Sequence, residues 1–288
     1  MASTDNPSSP PQPPSPGVGA VDLSPATIGE LLRFVLSSHV AAPDPALPLS
    51  PSYCSRLLDD DLCDKLATEL AGCIGEGRIP GPPVGEGAVG TPVEENGSRK
   101  REEEWEAVLL EKGSELKRMY DAVEFVLHVQ EPYFTQLRAG SKNVEGRLAA
   151  GNYNRITQGS SLLFNKCLLL DVEAVRKYSS FSEMLQAEMI SNVVPGISSI
   201  EEGVKVYRKF YTEEKENSYG VLAISVSKPL RQPYITMTEL LAVSGTSPHF
   251  VQHFFCLYCC QNICNCFYDC TSYMSAFWYT RLLSIIYY

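Results

Sequence analysis

Gly140-Ser141-Lys142-Asn143-Val144-Glu145-Gly146-Arg147 sets a lysine, a carboxylate and an arginine close together, just past a glycine. Ahead of it Glu131-Pro132 provides a helix start, and Tyr133, Phe134 and Leu137 share one face. Gly140 stands where a helix C-terminus needs a left-handed residue. A strand should follow. With side chains alternating from Lys142 to Leu148, Asn143, Glu145 and Arg147 face one way and Lys142, Val144 and Gly146 the other. Lys142 therefore meets Glu145 only if it lies at the turn, before regular pleating begins. Taken alone, the stretch is a surface ion pair closing a turn.

The flanks give it a setting. Before it, Phe125 to Val129 is strand-like, and His128 within it is read as a satisfied core or edge residue rather than a base or ligand. After it, Gly151 to Gly159 is a polar loop carrying Arg155, and Ser161–Asn165 and Leu168–Val175 are strands. A helix from about Ser182 turns Met184, Leu185 and Met189 inward and stops before the Pro195-Gly196 turn. Ser199-Ile200-Glu201-Glu202 has the spacing of a capping box, and Ile200, Val204, Tyr207 and Tyr211 make the apolar stripe behind it. Glu202 thus has a structural explanation. An acidic, lysine-bearing loop runs to Ser218, and Tyr219 to Val226 is a closing strand. Short strands with helices between them predict a small α+β domain with a curled sheet or barrel over residues 123–230.

The rest of the chain divides by composition. Residues 1–22 are a Pro/Ser-rich tail, expected to be disordered, with neither an apolar signal core nor the arginines of a transit peptide. Residues 23–74 form a small helical bundle: Ser24-Pro25 and Ser50-Pro51 are cap-then-proline starts, and Leu62, Leu66, Leu70 and Ile74 recur four apart. Residues 75–98 are a Gly/Pro-rich linker. Residues 99–122 are a charged helix expected to pack on the next domain, with Trp105, Leu109 and Leu116 as anchors. Residues 1–126 carry 10 Lys+Arg against 21 Asp+Glu, whereas residues 127–228 carry 12 against 11. The net charge of −10 therefore excludes a wholly basic nucleic-acid binder but not a local basic cleft in the middle segment.

Residues 231–288 are an irregular Cys/aromatic-rich tail. From Gly245 on it holds 12 aromatic residues and six cysteines, with only Asp269 and Arg281 charged. Cys256-x-x-Cys259 has no second pair at zinc-site spacing, so no metal is expected. Gln252, His253, Gln261, Asn262 and Asn265 make Phe250–Tyr268 a poor membrane span, so no membrane is expected either. The preferred reading is an alternative transcript end rather than an evolved element. With no signal sequence, the scattered cysteines fit a reduced cytoplasmic or nuclear protein.

The order of landmarks resembles the ASCH family, whose domain is a PUA-like β-barrel. They are Gln130-Glu131-Pro132-Tyr133; Gly140-x-Lys142-x-x-Glu145-x-Arg147; Gly159-x-x-Leu162-x-Phe164; Tyr178-x-x-Phe181; Pro195-Gly196; and Gly220-Val221-Leu222-Ala223-Ile224. The resemblance covers roughly residues 124–228, and the N-terminal helices resemble the extension of plant ASCH-domain proteins. It implies RNA or nucleotide binding in a cleft beside the barrel, in RNA metabolism or transcription coactivation. There Lys142, Arg147 and Arg155 would hold phosphates and Tyr153 would stack a base of an RNA or modified nucleoside. It also implies an enzymatic alternative, an amidohydrolase of acetylated cytidine with Lys142, Glu145 and Glu202 as catalytic residues. Glu145, however, stands where those hydrolases carry a threonine, so binding is the expectation and no cofactor is called for. A third reading is a protein-interaction adaptor working through the acidic N-terminal helices.

Overall fold

Ser24 and Pro25 open the first helix in the way their order demands. The Ser24 hydroxyl accepts from the Thr27 amide at 3.4 Å, and the proline, having no N–H to satisfy, takes the first turn. The structure is a computed structural model describing residues 14–76 and 95–244, and the described residues fall into two compact units. The helical unit begins with α1 (Pro25–Ala41), which buries Ile28, Leu31, Leu32, Val35 and Leu36. Ser50 caps α2 (Pro51–Leu57) in the same manner. α3 (Asp60–Glu76) has Asp60 and Asp61 in its first turn and turns Leu62, Leu66 and Leu70 inward against α1. α4 (Glu95–Asp121) buries Leu109 and Leu116 and packs on α3. Between α1 and α2, His39 accepts from the Asp44 amide through Nδ1 at 3.0 Å, and its Nε2 lies 2.8 Å from the Leu49 carbonyl.

The second unit is the expected barrel-like domain. Its strands are β1 (Gly17–Val18), β2 (Phe125–Leu127), β3 (Val144–Leu148), β4 (Ser161–Phe164), β5 (Leu168–Tyr178) and β6 (Val221–Ser227). They form one curled half-barrel sheet in the order β1-β2-β4-β5-β6-β3, parallel between β2 and β4 and antiparallel elsewhere. A register shift between Val172 and Ala174 lets β5 bend as it passes from β4 to β6. Inserted between strands are α5 (Tyr133–Ala139), a 3-10 turn (Gly151–Arg155), α6 (Phe181–Ala187), α7 (Ile190–Val193), α8 (Ile200–Arg208) and α9 (Glu213–Tyr219). Val144, Leu148, Phe181, Met184, Leu185, Val193 and Tyr207 belong to the core between the sheet and these helices. The Phe181 ring stacks on Tyr207 at 4.1 Å between centroids.

Five expectations differ from the structure. Met189, expected to turn inward, lies past the end of α6 and is exposed. The acidic loop ending at Ser218 contains α9, which Thr212 caps with its hydroxyl 3.4 Å from the Lys215 amide. A helix this short shows no apolar period, and its buried Glu216 is not a solvated charge. That carboxylate accepts from the Phe181 amide at 2.6 Å and pairs with Arg208. Within the supposed N-terminal tail, Gly17 and Val18 pair with Val126 and Phe125. Within the supposed irregular tail, α10 (Pro233–Ser244) packs on α4 and α1, an apolar helix with too little amphipathic contrast to show in the sequence. The charged helix, finally, is α4 of the helical unit, packed on α3 and α10. The tail before residue 14, most of the linker (77–94), the Trp105 side chain and the Cys/aromatic stretch after Ser244 lie outside what the structure describes.

Candidate functional site

Gly140 ends α5 in the left-handed conformation, with φ 78°. The reversal carries Lys142 in front of β3, before the pleat, where its amide donates to the Gln136 carbonyl at 3.2 Å. Asn143 is anchored on both sides: its amide donates to Asn192 O at 3.1 Å and its carbonyl accepts from Val226 N at 2.9 Å. From this position Lys142 Nζ reaches Glu145 Oε2 at 3.1 Å, Val144 O at 2.6 Å and Val193 O at 2.5 Å, so all three ammonium protons have acceptors. Arg147, two residues along the same strand face as Glu145, puts Nε 2.9 Å from Glu145 Oε1 and donates through a terminal nitrogen to His128 O at 2.8 Å. Its guanidinium also lies 5.5 Å from the centre of the Tyr153 ring.

The cluster is interior, not a surface turn. Lys142, Glu145 and Arg147 are 3%, 6% and 4% exposed. Burial pushes the Glu145 carboxyl up, but Lys142 and Arg147 outweigh it and hold the group below the usual carboxylate range. Burial lowers Lys142, with Glu145 opposing it. Arg147 is pulled down by burial and raised further by Glu145, ending above its ordinary value. Two positive charges and one negative leave the cluster net cationic.

Beside it lies a cavity of about 230 Å3, bordered by the triad, by Tyr133 from α5, and by Tyr207, Phe210 and Tyr211 at the end of α8. Gly146 makes this approach possible: a Cβ there would come within 2.8 Å of Met184 Cε and 2.9 Å of Tyr207 Cζ. Tyr133 and Phe210 are half-buried, while Tyr207 and Tyr211 also belong to the core. The buried Tyr211 hydroxyl lies beside the Arg147 guanidinium, and Arg147 Nε meets Glu145 as an ion pair at 2.9 Å. Burial pushes the Tyr211 phenol up to about 12, so at neutral pH it is a donor.

The family model for the ASCH domain matches residues 127–230, the whole of this site from His128 onward. The chain is also similar to two solved structures. One is a crystal structure of hypothetical protein PH0355, 47% identical over 36% of this chain and 97% of that one, with a TM-score of 0.36. The other is the solution structure of protein PF0455 from Pyrococcus furiosus, 41% identical over 37% and 97%, with a TM-score of 0.34. Residues 127–230 are an ASCH domain. No curated protein matches the chain. The ASCH domain is generally linked to RNA binding. Among the described residues no helix is long and apolar enough to cross a membrane.

Not every residue singled out in the sequence comes to the ASCH-domain cavity. Lys142, Glu145 and Arg147 do. Tyr153 lies behind Arg147, buried, with its hydroxyl donating to Pro14 O at 3.1 Å. Arg155 ends the 3-10 turn exposed and does not border the cavity. Glu202 is exposed on the first turn of α8, its amide capped by Ser199 Oγ at 3.2 Å, and does not border the cavity either. Tyr133 and Phe210 went unremarked as site residues. Tyr133 had been assigned to a helix face, and Phe210 falls off the Tyr207–Tyr211 stripe. The available signal was three aromatic residues within five at the end of α8.

Proposed function

We propose that the ASCH domain binds RNA by taking one base, plain or modified, into the cavity beside β3. The supporting observation is the lining itself: half-buried aromatic faces of Tyr133 and Phe210 and the Tyr211 hydroxyl beside a net cationic triad. Aromatic faces accept any base by stacking, the Tyr211 hydroxyl offers a hydrogen bond to its edge, and the positive balance favours a nearby phosphate. Lys142 acts here as a fixed structural ammonium, its three protons already placed, and Arg147 supplies the second positive charge. Roles in RNA metabolism or coactivation, in nucleus or cytoplasm, are consistent with this chemistry. Amidohydrolysis draws less support, because its third residue, Glu202, is an exposed first-turn residue away from the cavity.

Titration of the full chain with fluorescent single-stranded RNA tests the proposal. Phe210→Ala should weaken binding by about 1–3 kcal/mol, the worth of one base–aromatic stack. Tyr211→Phe keeps the ring and removes only the hydroxyl, and it should weaken binding by about 0.5–1.5 kcal/mol. Absence of RNA binding, or binding indifferent to both substitutions, would overturn it.

A further inference from the structure

Pro14 borders the cavity, although it lies far outside the residues matched by the family model. The segment that brings it there is fastened at successive residues. Tyr153 Oη donates to Pro14 O at 3.1 Å, Asn152 N to Ser15 Oγ at 3.4 Å, and Asn152 Nδ2 to Pro16 O at 3.1 Å. Gly17 and Val18 then pair with β2, and Gly19 N donates to Glu124 O at 2.9 Å. Two prolines with φ fixed near −65° leave the segment little backbone freedom to lose when it is held this way. The 3-10 turn is therefore an anchor, its Asn152 and Tyr153 gripping the segment from one side. Tyr153 serves twice, since the ring that meets the Arg147 guanidinium carries the hydroxyl that holds Pro14.

We infer that Pro14, held in place by the Ser15–Val18 segment behind it, is a specificity-determining wall of the RNA-binding cavity, which sizes the site for a single nucleoside and disfavours a polynucleotide continuing past that side. The inference rests on the base-binding reading given above. A cavity of about 230 Å3 falls below the ~300–1,000 Å3 of drug-sized sites, so one nucleoside-scale occupant is what it holds while the wall is in place. Pro14 has no N–H to donate to that occupant, and its carbonyl is taken by Tyr153 Oη. The binding preference is thus set partly by residues outside the barrel proper.

The test uses the full chain and two probes, cytidine and a cytidine hexanucleotide, measured by isothermal titration calorimetry. Two variants loosen the wall without touching the triad: Pro14→Gly combined with Pro16→Gly, which frees the backbone, and Asn152→Ala, which removes the grip on Pro16. Both should shift the ratio of the two affinities toward the hexanucleotide by about three- to tenfold, the worth of one or two hydrogen bonds. Measurable binding of either probe with an unchanged ratio in both variants would overturn the wall and leave the base-binding reading standing. Binding of neither probe to any form of the protein would overturn both.

Discussion

Two arginine–carboxylate clusters stand on the same sheet and use their guanidinium groups differently. On β5, Arg176 grips both oxygens of Glu188 at 2.5 Å and donates to Ser225 Oγ at 2.7 Å. Tyr178 Oη adds a further bond to that carboxylate at 2.6 Å. The Arg176 side chain is 46% exposed, its donors are matched in fork geometry, and it does not line the cavity beside β3. On β3, Arg147 is almost wholly buried and meets Glu145 through an ill-aligned Nε, with a cavity beside it. The same residue types make a fastener in one place and the border of a cavity in the other. What separates them is whether the protein uses up the hydrogen-bonding capacity it buries.

Removing one charge from each cluster should widen the contrast. Glu145→Gln leaves Lys142 and Arg147 buried without their counter-charge, and the cost should be about 3–5 kcal/mol, read from the denaturant midpoint of the full chain. The same pair of proteins carries a pH signature. Because Glu145 is held below its usual value in the folded state, its contribution is present above about pH 4.3 and is lost as the pH falls through the lower folded value. The wild-type melting temperature should therefore fall more steeply than that of Glu145→Gln on acidification below about pH 4.3, and parallel profiles would show that the carboxylate is not paired. Next in size is Gly146→Ala. Its methyl group must displace Tyr207 and Met184, costing about 1–3 kcal/mol by overpacking and closing the cavity to ligand. Smallest is Arg176→Ala: the guanidinium is half exposed, and the buried Glu188 carboxylate keeps the Tyr178 hydroxyl as a donor, so the loss should be about 1 kcal/mol with RNA affinity unchanged. If Arg176→Ala proved as damaging as Glu145→Gln, burial would not be what distinguishes the two clusters.

Much of the domain was legible because its punctuation is local. Gly140 past Leu137, Ser199 before Ile200, Ser24-Pro25 and Ser50-Pro51 each state their conformation through groups a few residues apart, and the structure places a cap at each. The Lys142–Glu145 contact was legible as a condition: it required Lys142 to precede the pleat, and β3 begins at Val144. α9 and α10 were not, one too short and acidic, the other too uniformly apolar to show a period. Arg155 and Glu202 looked equivalent to their neighbours in a list of charged residues. Only the direction of their backbone separates them from the cavity.

By itself, the sequence determined the order of the elements, the family, and a lysine, glutamate and arginine around one glycine-ended helix. These follow from backbone chemistry and side-chain period, which act over a turn or a pleat. The tertiary structure alone decided that the three charges are buried. The acceptor that holds Lys142 comes from Val193, the ring that closes over Gly146 from Tyr207, and the cavity's outer wall from Pro14. Burial and electrostatic coupling depend on groups brought together through space. No spacing along the chain encodes which of those groups will arrive, so a surface turn ion pair and a buried triad bordering a cavity are written with the same letters.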